Sequence, residues 1–239
     1  MPSADSRKPK VAVITGGSRG IGLAIARIFA TNGFDVVITG LDEARLKAAV
    51  TTMGQSAVTG LQCDVSNADS VRNLFNRVRE QFAEIHVLVN NAGVAHALSP
   101  IEQLSLEDWK RVIGTNLTGT FLCSQAALPL MSAGSTIVNN LSVAAVTPFA
   151  GMSAYNASKF GALGFTNVLR EEVSKRGIRV VALLPGAVDT EIWEQFWPQA
   201  PREKMISADT VAQAVFHAIS IPAEAAIEEL RIGPTAGAL

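Results

Sequence analysis

The sequence predicts an α/β fold in which helices cover both faces of a doubly wound, mostly parallel seven-stranded sheet. Short apolar runs alternate along the chain with longer segments of helical period. The apolar runs are nearly continuous, which is the pattern of strands that are buried on both faces in a parallel sheet. A strand–helix–strand order repeated in this way gives right-handed crossovers.

The predicted elements follow this alternation from the first residues to the last. Seven apolar runs are the predicted strands, of which the last is the weakest: Val11–Ile14, Phe34–Thr39, Ala57–Gln62, Ile85–Val89, Thr136–Asn139, Arg179–Leu184 and Leu230–Ile232. Six segments are the predicted helices: Ile21–Thr31, Asp42–Met53, Asn67–Phe82, Leu106–Met131, Ser153–Arg176 and Ala208–Ile219.

Local signals support several helix boundaries. Asp42-Glu43 and Ser66-Asn67 carry side chains that cap a helix N-terminus and complement its dipole. Asn32-Gly33 and Arg176-Gly177 have the composition of C-terminal stops. Pro129 lies inside the Leu106–Met131 segment, and we expect it to end or kink the helix there.

The bulk composition fits one large core and no charged macromolecular partner. The chain has 239 residues, of which 48% are hydrophobic and 17% charged, so we expect a single domain over residues 1–239 with residues 1–9 flexible. The formal net charge is −1 and the two signs are mixed. No basic stripe indicates nucleic acid.

The cysteines, the histidines and the distribution of apolar residues indicate whether the protein binds a metal and where in the cell it is located. Cys63 and Cys123 form no metal-binding motif, and such a low cysteine content suits a reducing compartment. His86, His96 and His217 are not spaced as metal ligands, so no metal site is expected. The sequence contains no uninterrupted apolar run of about 18 residues, so we expect no membrane helix. The first ten residues are polar and lack the apolar region of a signal peptide. We therefore expect a cytoplasmic protein without membrane contact.

A glycine-rich turn joins the first strand to the first helix. It runs from Thr15 to Gly22 with the sequence TGGSRGIG. The pyrophosphate of a dinucleotide needs backbone N–H donors and a positive helix N-terminus, and glycine lets the chain approach phosphate without a Cβ in the way. The spacing is GxxxGxG rather than the common GxGxxG. A strand before the turn and a helix after it favour a nucleotide site over a plain structural turn.

This turn, together with the NNAG of Asn90–Gly93, resembles the short-chain dehydrogenase/reductase family, and the resemblance covers about residues 10–220. It implies a Rossmann-like fold and a nicotinamide dinucleotide cofactor. The implied cofactor-binding residues are Gly16, Ser18, Arg19, Gly20, Ile21 and Gly22 at the phosphates and ribose, Asp64 and Val65 at the adenine, Asn90, Ala92 and Gly93 after the fourth strand, and Pro185, Gly186, Val188 and Thr190 at the nicotinamide.

The choice between NAD and NADP is normally made at the end of the second strand, where an acidic side chain binds the ribose 2′-OH and repels a 2′-phosphate. In the resembling family that acid would fall at about Gly40 and an NADP-selecting arginine at Leu41, and this sequence has neither. Asp42 lies one or two positions later and equally suits a helix cap. Arg19 resembles the basic residue of NADP-preferring members, and a guanidinium matches a phosphate with paired donors. We expect NADP(H) to be favoured over NAD(H).

Tyr155 and Lys159 are the central chemical pair. They are four residues apart, on one face of a helix. A cation beside a phenol favours the phenolate and lowers the phenol pKa toward working pH, which makes Tyr155 a usable acid or base for an alcohol proton. A Tyr-x-x-x-Lys pair alone is usually a surface pair on a helix. Tyr155, however, is the one tyrosine of the chain, and it falls at the catalytic spacing of the resembling family.

The resemblance also assigns the remaining roles. Ser142 would hold the substrate oxygen, Asn116 would interrupt a helix and relay protons with Lys159 through water, and Lys159 would hold the nicotinamide ribose. The implied reaction is hydride transfer between nicotinamide and a carbonyl or alcohol carbon, with Tyr155 supplying or taking the proton. Where many members have Ser-Ser, this chain has Leu141-Ser142, and we expect little effect.

Two features stay open at this level. The segment Glu191–Ser207 carries Trp193, Phe196 and Trp197, and it is either a packed surface helix or an aromatic lid over an apolar substrate. The helix around Val168–Val173 is either core or an oligomer face. Since members of the family often pair through this helix, we expect a homodimer or homotetramer.

Two other classes of function compete with the enzyme prediction. A non-catalytic NAD(P)-binding sensor or scaffold would keep the fold, but the complete set of Ser142, Tyr155, Lys159 and Asn116 argues against it. A dehydratase or epimerase of the same fold would carry extra sugar-nucleotide-binding sequence, which is absent. The sequence does not distinguish among small-molecule carbonyl and alcohol substrates.

Overall fold

The structure is a computed structural model that describes residues 9–54, 57–222 and 224–237. Except for Pro9, the segment expected to be flexible lies outside the described residues. All seven predicted strands are present: β1 (Val11–Ile14), β2 (Asp35–Gly40), β3 (Val58–Gln62), β4 (Val87–Asn90), β5 (Thr136–Asn140), β6 (Arg179–Pro185) and β7 (Glu229–Ile232).

The strands form one sheet in the order β3-β2-β1-β4-β5-β6-β7, and every pairing is parallel. The chain leaves β1 toward β2 and β3 on one side and then returns to add β4 on the other side. The strand order therefore reverses between β1 and β4, and in an open α/β sheet a ligand crevice forms at the carboxyl ends of such strands. The predicted doubly wound architecture is confirmed.

In the described residues seven α-helices accompany the strands, and capping residues explain several of their boundaries. Asp42 accepts a hydrogen bond from the Arg45 backbone N–H (3.0 Å), and Asn67 accepts one from the Ser70 N–H (2.9 Å). Gly33 follows the first helix with φ +79°, the left-handed region that glycine adopts without strain. The helices are α1 (Gly20–Thr31), α2 (Glu43–Met53), α3 (Ala68–Gln81), α4 (Leu106–Ile113), α5 (Gly119–Ala127), α6 (Ser153–Ser174) and α7 (Ala208–Ile219).

The helical segment predicted over Leu106–Met131 is divided into α4 and α5, and the division lies at Asn116, where the resemblance implied an interruption. A π-helical turn over Gly114–Thr118 separates the two helices. In this turn the buried Asn116 carboxamide accepts from the Val94 N–H and donates to the Val94 carbonyl, both at 2.9 Å. These bonds tie the wide turn to the chain that leaves β4. Pro129 lies in the short 3₁₀ turn that ends the segment, as expected.

The core lies on both faces of the sheet, which explains the continuous apolar runs. Val13 and Ile14 are neighbours in β1 and both have no exposed surface. Ile14 packs in the cluster formed with α1 and α7, whereas Val13 packs in the cluster formed with α3, α5 and α6. Among the described residues, no helix has both the length and the apolar character needed to cross a bilayer.

Candidate active site

A cleft of about 900 Å³ lies at the carboxyl ends of the strands. It collects sixteen of the residues that the sequence singled out, from segments spread over most of the chain. They are Gly16, Ser18, Arg19, Gly20, Ile21, Asp64, Val65, Ala92, Gly93, Ser142, Tyr155, Lys159, Pro185, Gly186, Val188 and Thr190.

Gly22 and Asn90 lie behind the cleft lining rather than in it. A Cβ at Gly22 would be 2.4 Å from the Asn91 Nδ2 atom and 2.4 Å from the Gly16 carbonyl oxygen, so this glycine lets α1 approach the glycine-rich turn. Asn90 is 4% exposed, and its carboxamide donates to Ser124 and Asn139 in the core. The Asn90 carboxamide is therefore directed into the core, and the predicted place of Asn90 at the end of the fourth strand is as observed. Both residues support the cleft from behind.

Asn116 also lies beneath the cleft. Besides its two bonds to the Val94 backbone, its carboxamide donates to the Ser158 hydroxyl at 3.0 Å. A Cβ built on Gly93 would lie 3.5 Å from Asn116 Oδ1 and 3.8 Å from Lys159 Nζ. Asn116 thus interrupts the helix as predicted, close to Lys159, but its side chain is already bonded to protein groups.

The glycine-rich turn is shaped to leave backbone groups facing the cleft. Gly16 has φ +63°, and a Cβ there would lie 2.9 Å from Ala92 Cα. A Cβ at Gly17 would lie 2.7 Å from the Ile38 side chain. The helix α1 starts after Arg19 with no side-chain capping bond, so the turn presents the positive end of α1 to the cleft. This arrangement is a cradle for a phosphate.

Asn91 is a residue of the cleft that the sequence reading missed. Its Nδ2 donates to the carbonyl oxygens of Thr15 (2.9 Å) and Gly16 (3.0 Å), and its Oδ1 accepts from Asn140 Nδ2 (2.8 Å). The side chain thereby holds the glycine-rich turn against the end of β4. Only its place beside Asn90 in the NNAG motif signalled it, because the partners are distant in sequence.

Ser142, Tyr155 and Lys159 meet at the floor of the cleft. The Ser142 side chain acts to lower the pKa of the Tyr155 hydroxyl, and the Ser142 hydroxyl accepts from the Ala144 N–H at 3.1 Å. Lys159 Nζ donates to the Asn140 carbonyl oxygen at 3.0 Å and lies 5.6 Å from the centre of the Tyr155 ring. The predicted three side chains are therefore brought together from a loop after β5 and from α6.

Burial shifts both titrating groups toward their neutral forms. It raises the pKa of Tyr155 to about 12, against a smaller lowering by the Ser142 side chain. It lowers the pKa of Lys159 to about 8. The expectation that the lysine charge brings the phenol pKa toward working pH is not met in the protein alone, because burial raises the pKa of Tyr155. Tyr155 is a protonated phenol at neutral pH.

The turn after β6 passes close to the end of β7. The Gly186 N–H donates to the Ile232 carbonyl at 2.7 Å, and a Cβ at Gly186 would lie 3.3 Å from Gly233 Cα. Thr190 then reaches the glycine-rich turn, with its Cγ2 3.3 Å from the Cβ position of Gly20. The Pro185–Thr190 strip thus lines the cleft between its floor and the phosphate cradle.

At the end of β2, two arginines share one carboxylate. Arg19 Nη1 and Arg45 Nη1 lie 2.8 Å and 3.2 Å from the same oxygen of Glu191. Asp42, which the sequence left as either an NAD selector or a cap, caps α2. Arg45 was missed by the sequence reading, since an arginine on a helix is ordinarily a solvated residue.

The aromatic segment forms one wall of the cleft. It begins with a 3₁₀ turn over Glu191–Gln195, and the Trp193 ring centre lies 4.8 Å from that of Phe196 and 6.0 Å from that of Trp197. All three rings line the cleft, which favours the lid over the packed surface helix. Gln195 accepts from the Ala95 N–H at 2.9 Å.

The segment that carries these rings starts and ends at two residues that are paired with each other. Val188 and Ile206 form a parallel bridge. The Asp189 N–H donates to the Ile206 carbonyl (2.9 Å), and the Ile206 N–H donates to the Ala187 carbonyl (3.1 Å).

Within the part of the chain that the structure describes, no group of three or more His, Cys, Asp or Glu residues is arranged to hold a metal.

The comparisons with known proteins agree with one another. A family model described as short chain dehydrogenase matches residues 10–201. The chain is 41% identical over 192 residues to D-threitol dehydrogenase of Mycolicibacterium smegmatis, which covers 79% of this chain and 74% of that protein. It is 33% identical to sulfoacetaldehyde reductase 2 of Chromohalobacter salexigens over 94% of each chain.

Solved structures show the same likeness. An alcohol dehydrogenase from Thermococcus sibiricus complexed with 5-hydroxy-NADP is 30% identical with a TM-score of 0.87, covering 95% of this chain and 97% of that one. A 3-ketoacyl-(acyl-carrier-protein) reductase from Brucella melitensis complexed with NADH is 28% identical with a TM-score of 0.87, covering 94% and 96%.

Proposed function

We infer the reaction from one premise, which is that the chain belongs to the short-chain dehydrogenase/reductase family. It is an NAD(P)-dependent oxidoreductase that acts on CH–OH and C=O groups. The comparisons give no support to a non-catalytic sensor or scaffold. We propose that one domain, built on the single sheet, holds both the cofactor and the catalytic residues.

The residues of the cleft fit a nicotinamide dinucleotide. The glycine-rich turn and the uncapped start of α1 would hold its phosphates, Asp64 and Val65 its adenine, and the Pro185–Thr190 strip its nicotinamide. The crowding around Gly16 and Gly17, where a Cβ would meet neighbouring atoms at 2.9 Å and 2.7 Å, supports this assignment because only a bare backbone keeps the cradle open. The bound dinucleotide supplies or accepts a hydride.

We propose that Tyr155 is the acid and base of the reaction. In the reductive direction Ser142 and Tyr155 hold the carbonyl oxygen by hydrogen bonds, and Tyr155 donates its proton as negative charge develops on that oxygen. Lys159, which is bonded to the Asn140 carbonyl, stabilises the resulting phenolate and holds the cofactor ribose. The observation that carries this proposal is that Ser142, Tyr155 and Lys159 line the same cleft, with Lys159 Nζ 5.6 Å from the centre of the Tyr155 ring.

We propose that NADP(H) is favoured over NAD(H). The end of β2 presents Gly40, which has no side chain to repel a 2′-phosphate, and the Asp42 carboxylate is used in capping α2. Arg19 borders the same part of the cleft. Similar solved structures hold NADP in some cases and NADH in others, so the preference rests on these residues.

The substrate is proposed to be a small molecule with an apolar portion next to its carbonyl or alcohol group. Leu98, Phe149 and Met152 line the cleft together with Trp193 and Phe196. Burying an apolar group against such side chains is favourable in proportion to the area removed from water. This wall supports a preference for apolar ketones over polyols.

Oligomerisation and location complete the proposal. Phe160 on α6 is 45% exposed and Val168 is 57% exposed, and we propose that this face pairs with a second copy of the chain in a homodimer or homotetramer. Cys63 and Cys123 are free, buried thiols, which supports a reducing, cytoplasmic location.

The test is a carbonyl screen that compares the protein with its Tyr155→Phe variant. We expect NADPH-dependent reduction of apolar ketones by the wild-type protein and a loss of at least about a hundredfold in kcat for the variant. NADPH fluorescence titration should give dissociation constants that agree within about twofold, because the phenol oxygen is not a phosphate ligand. Full activity of the variant would refute the role of Tyr155.

A further inference from the structure

Residues 143–152 form a loop that lines part of the cleft and leads into α6, and Asn156 of that helix binds the backbone of the loop at three points. The Asn156 Nδ2 atom donates to the carbonyl oxygens of Ala144 (2.8 Å) and Thr147 (2.9 Å). Its Oδ1 atom accepts from the Phe149 N–H at 3.0 Å. A carboxamide has two donor hydrogens and one acceptor oxygen, so Asn156 uses each of these groups on the same loop.

One of these three bonds continues to the floor of the cleft. The Ala144 carbonyl accepts from Asn156, and the N–H of the same residue donates to the Ser142 hydroxyl at 3.1 Å. That bond occupies one lone pair of the hydroxyl and leaves its hydrogen available for a substrate oxygen. Because Asn156 follows Tyr155 directly in α6, its side chain ties the orientation of the Ser142 hydroxyl to the position of the phenol.

The other two bonds hold a part of the loop that lies against the substrate end of the cleft. Thr147 and Phe149 both line the cleft, and the Phe149 side chain is 38% exposed. In the described part of the chain, no side chain other than Asn156 is bonded to the backbone of residues 147–149. The direction of the Phe149 ring therefore depends on this one carboxamide.

Asn156 does not stabilise its own helix. The helix α6 begins at Ser153, and the residue before it, Met152, makes no side-chain capping bond. The Asn156 N–H already donates to the Met152 carbonyl at 2.8 Å, so Asn156 lies inside the first turns of the helix. Asparagine is a poor helix former in such a position, because its side chain competes for backbone groups. Its bonds to the loop are thus a contribution that the helix itself does not require.

We propose that Asn156 is a positioning residue that orients Ser142 through the Ala144 peptide and, through the backbone of residues 147–149, places Phe149 as a wall for the apolar part of the substrate. This inference rests on the proposed function and deepens it, because it names a residue that sets both turnover and substrate preference. The two arms affect different constants. Orientation of Ser142 governs kcat for every carbonyl substrate. The position of Phe149 governs KM most for a ketone with an aryl group, which presents a large apolar area to the wall.

The test uses acetophenone and butanone as substrates and Asn156→Asp as the principal variant. The new carboxylate can still accept from the Phe149 N–H, but it places an oxygen against the carbonyls of Ala144 and Thr147, where two acceptors repel. We expect kcat to fall about tenfold for both ketones and KM to rise about three- to tenfold for acetophenone alone. The NADPH dissociation constant should stay within about twofold. Asn156→Ala, which adds no charge, should give the same division between the two constants.

A matched control and a double-mutant cycle separate positioning from a general loss of structure. Asn32→Asp makes the same exchange after α1, where the Asn32 Nδ2 atom donates to the Ile28 carbonyl at 2.7 Å, and it should leave both constants unchanged. In a Ser142→Ala background, Asn156→Asp should lower kcat by less than about twofold, because the group through which it acts is absent. The inference is overturned if Asn156→Asp lowers kcat equally with and without the Ser142 hydroxyl, or if it acts like Asn32→Asp.

A second measurement needs no turnover. Tyr155 is the one tyrosine of the chain, so incorporation of 3-fluorotyrosine gives a single ¹⁹F signal from the phenol. Asn156→Asp should shift this signal in the same direction as Ser142→Ala, and Asn32→Asp should leave it in place.

The two measurements distinguish the possible failures. If the wild-type protein reduces neither ketone but the ¹⁹F signal responds as expected, the positioning by Asn156 stands and the assignment of ketone substrates falls. If both ketones are reduced and neither kcat nor the ¹⁹F signal responds to Asn156→Asp, the positioning falls and the proposed function stands.

Discussion

Asn140 donates a hydrogen bond of 2.8 Å to Asn91, from the end of β5 to the end of β4. Each partner serves a different part of the cleft. Asn91 donates to the carbonyls of Thr15 and Gly16 in the glycine-rich turn, and the Asn140 carbonyl accepts from Lys159. One chain of hydrogen bonds therefore connects the phosphate cradle with the lysine of the catalytic floor.

Asn140→Ala tests this connection. The change leaves the Asn91 Oδ1 atom without its partner, and we expect the free energy of unfolding to fall by about 1–2 kcal/mol and NADPH binding to weaken several-fold. Denaturant unfolding and fluorescence titration measure the two effects. Asn156→Ala is the control: it loses side-chain bonds to the backbone carbonyls of Ala144 and Thr147, and neither partner lies in or contacts the glycine-rich turn. If both variants bind NADPH alike, the connection has no bearing on the cofactor.

Arg19→Ala is expected to weaken NADPH more than NADH. Loss of a charge-assisted hydrogen bond to phosphate costs about 1.5–3 kcal/mol, which is roughly a tenfold to hundredfold rise in the NADPH dissociation constant. The dissociation constant of NADH should change much less, because its ribose offers no phosphate. Parallel titrations of both cofactors measure the ratio. Equal losses for the two cofactors would contradict the assignment of Arg19.

Because Lys159 is buried, we expect the protein to become more stable as the pH rises above 8. Burial lowers its pKa from 10.5 to about 8, so between these pH values the unfolded chain binds a proton that the folded chain does not. Stability therefore rises as the pH increases from 8 toward 10.5, and the cost of burying the charge is fully present below pH 8. A shift of this size corresponds to a cost on the order of 3 kcal/mol.

Lys159→Met removes that cost. The variant should be more stable than the wild-type protein at neutral pH, and the gain should shrink as the pH rises through the range given above. Urea unfolding of the cofactor-free proteins at several pH values measures it. A gain that stays constant with pH would show that packing, rather than the charge, accounts for the difference.

Gly22→Ala tests the close contact between α1 and the glycine-rich turn. The added Cβ would lie 2.4 Å from a backbone oxygen, so backbone must shift, and we expect a loss of about 1–3 kcal/mol or more in the free energy of unfolding. Gly114→Ala is the matched control, because its Cβ would meet Ser66 at an ordinary 3.5 Å. It should be close to neutral. Similar losses for the two variants would refute the contact as the cause.

Val168→Glu tests the proposed oligomer face. Val168 is 57% exposed on α6, and a charge placed in an apolar interface disfavours association. We expect light scattering to find a smaller particle for this variant than for the wild-type protein. Ile101→Glu makes the same kind of change at a residue that is 65% exposed outside α6, and its particle should keep the wild-type size.

The sequence predicted the sheet well because a parallel sheet is recorded in local patterns. Val13 and Ile14 are adjacent and both buried. Burial of adjacent residues is what a continuous apolar run in the sequence predicts. The Tyr155–Lys159 spacing likewise places two groups on one helix face without any tertiary knowledge. Such features depend on residues only a few positions apart.

The missed features depend on partners that are far apart in the chain. The bonds that hold the π-helical turn at Asn116 go to Val94, 22 residues away, so the helical period did not reveal this turn and only the family resemblance predicted an interruption at Asn116. Arg45 and Glu191 are 146 residues apart. The raised pKa of Tyr155 follows from burial, which the spacing of Tyr155 and Lys159 does not reveal.

The bridge between Val188 and Ile206 has an evolutionary consequence. A loop whose two ends are fastened to each other can change its length and its side chains without moving β6 or α7, since the cost of loop closure grows only slowly with length. The segment between Val188 and Ile206, which carries the aromatic wall of the cleft, can therefore change during evolution while the sheet and the helices around it keep their positions. Grafting the corresponding segment of a relative with another substrate should transfer preference while leaving the proton-handling floor as it is.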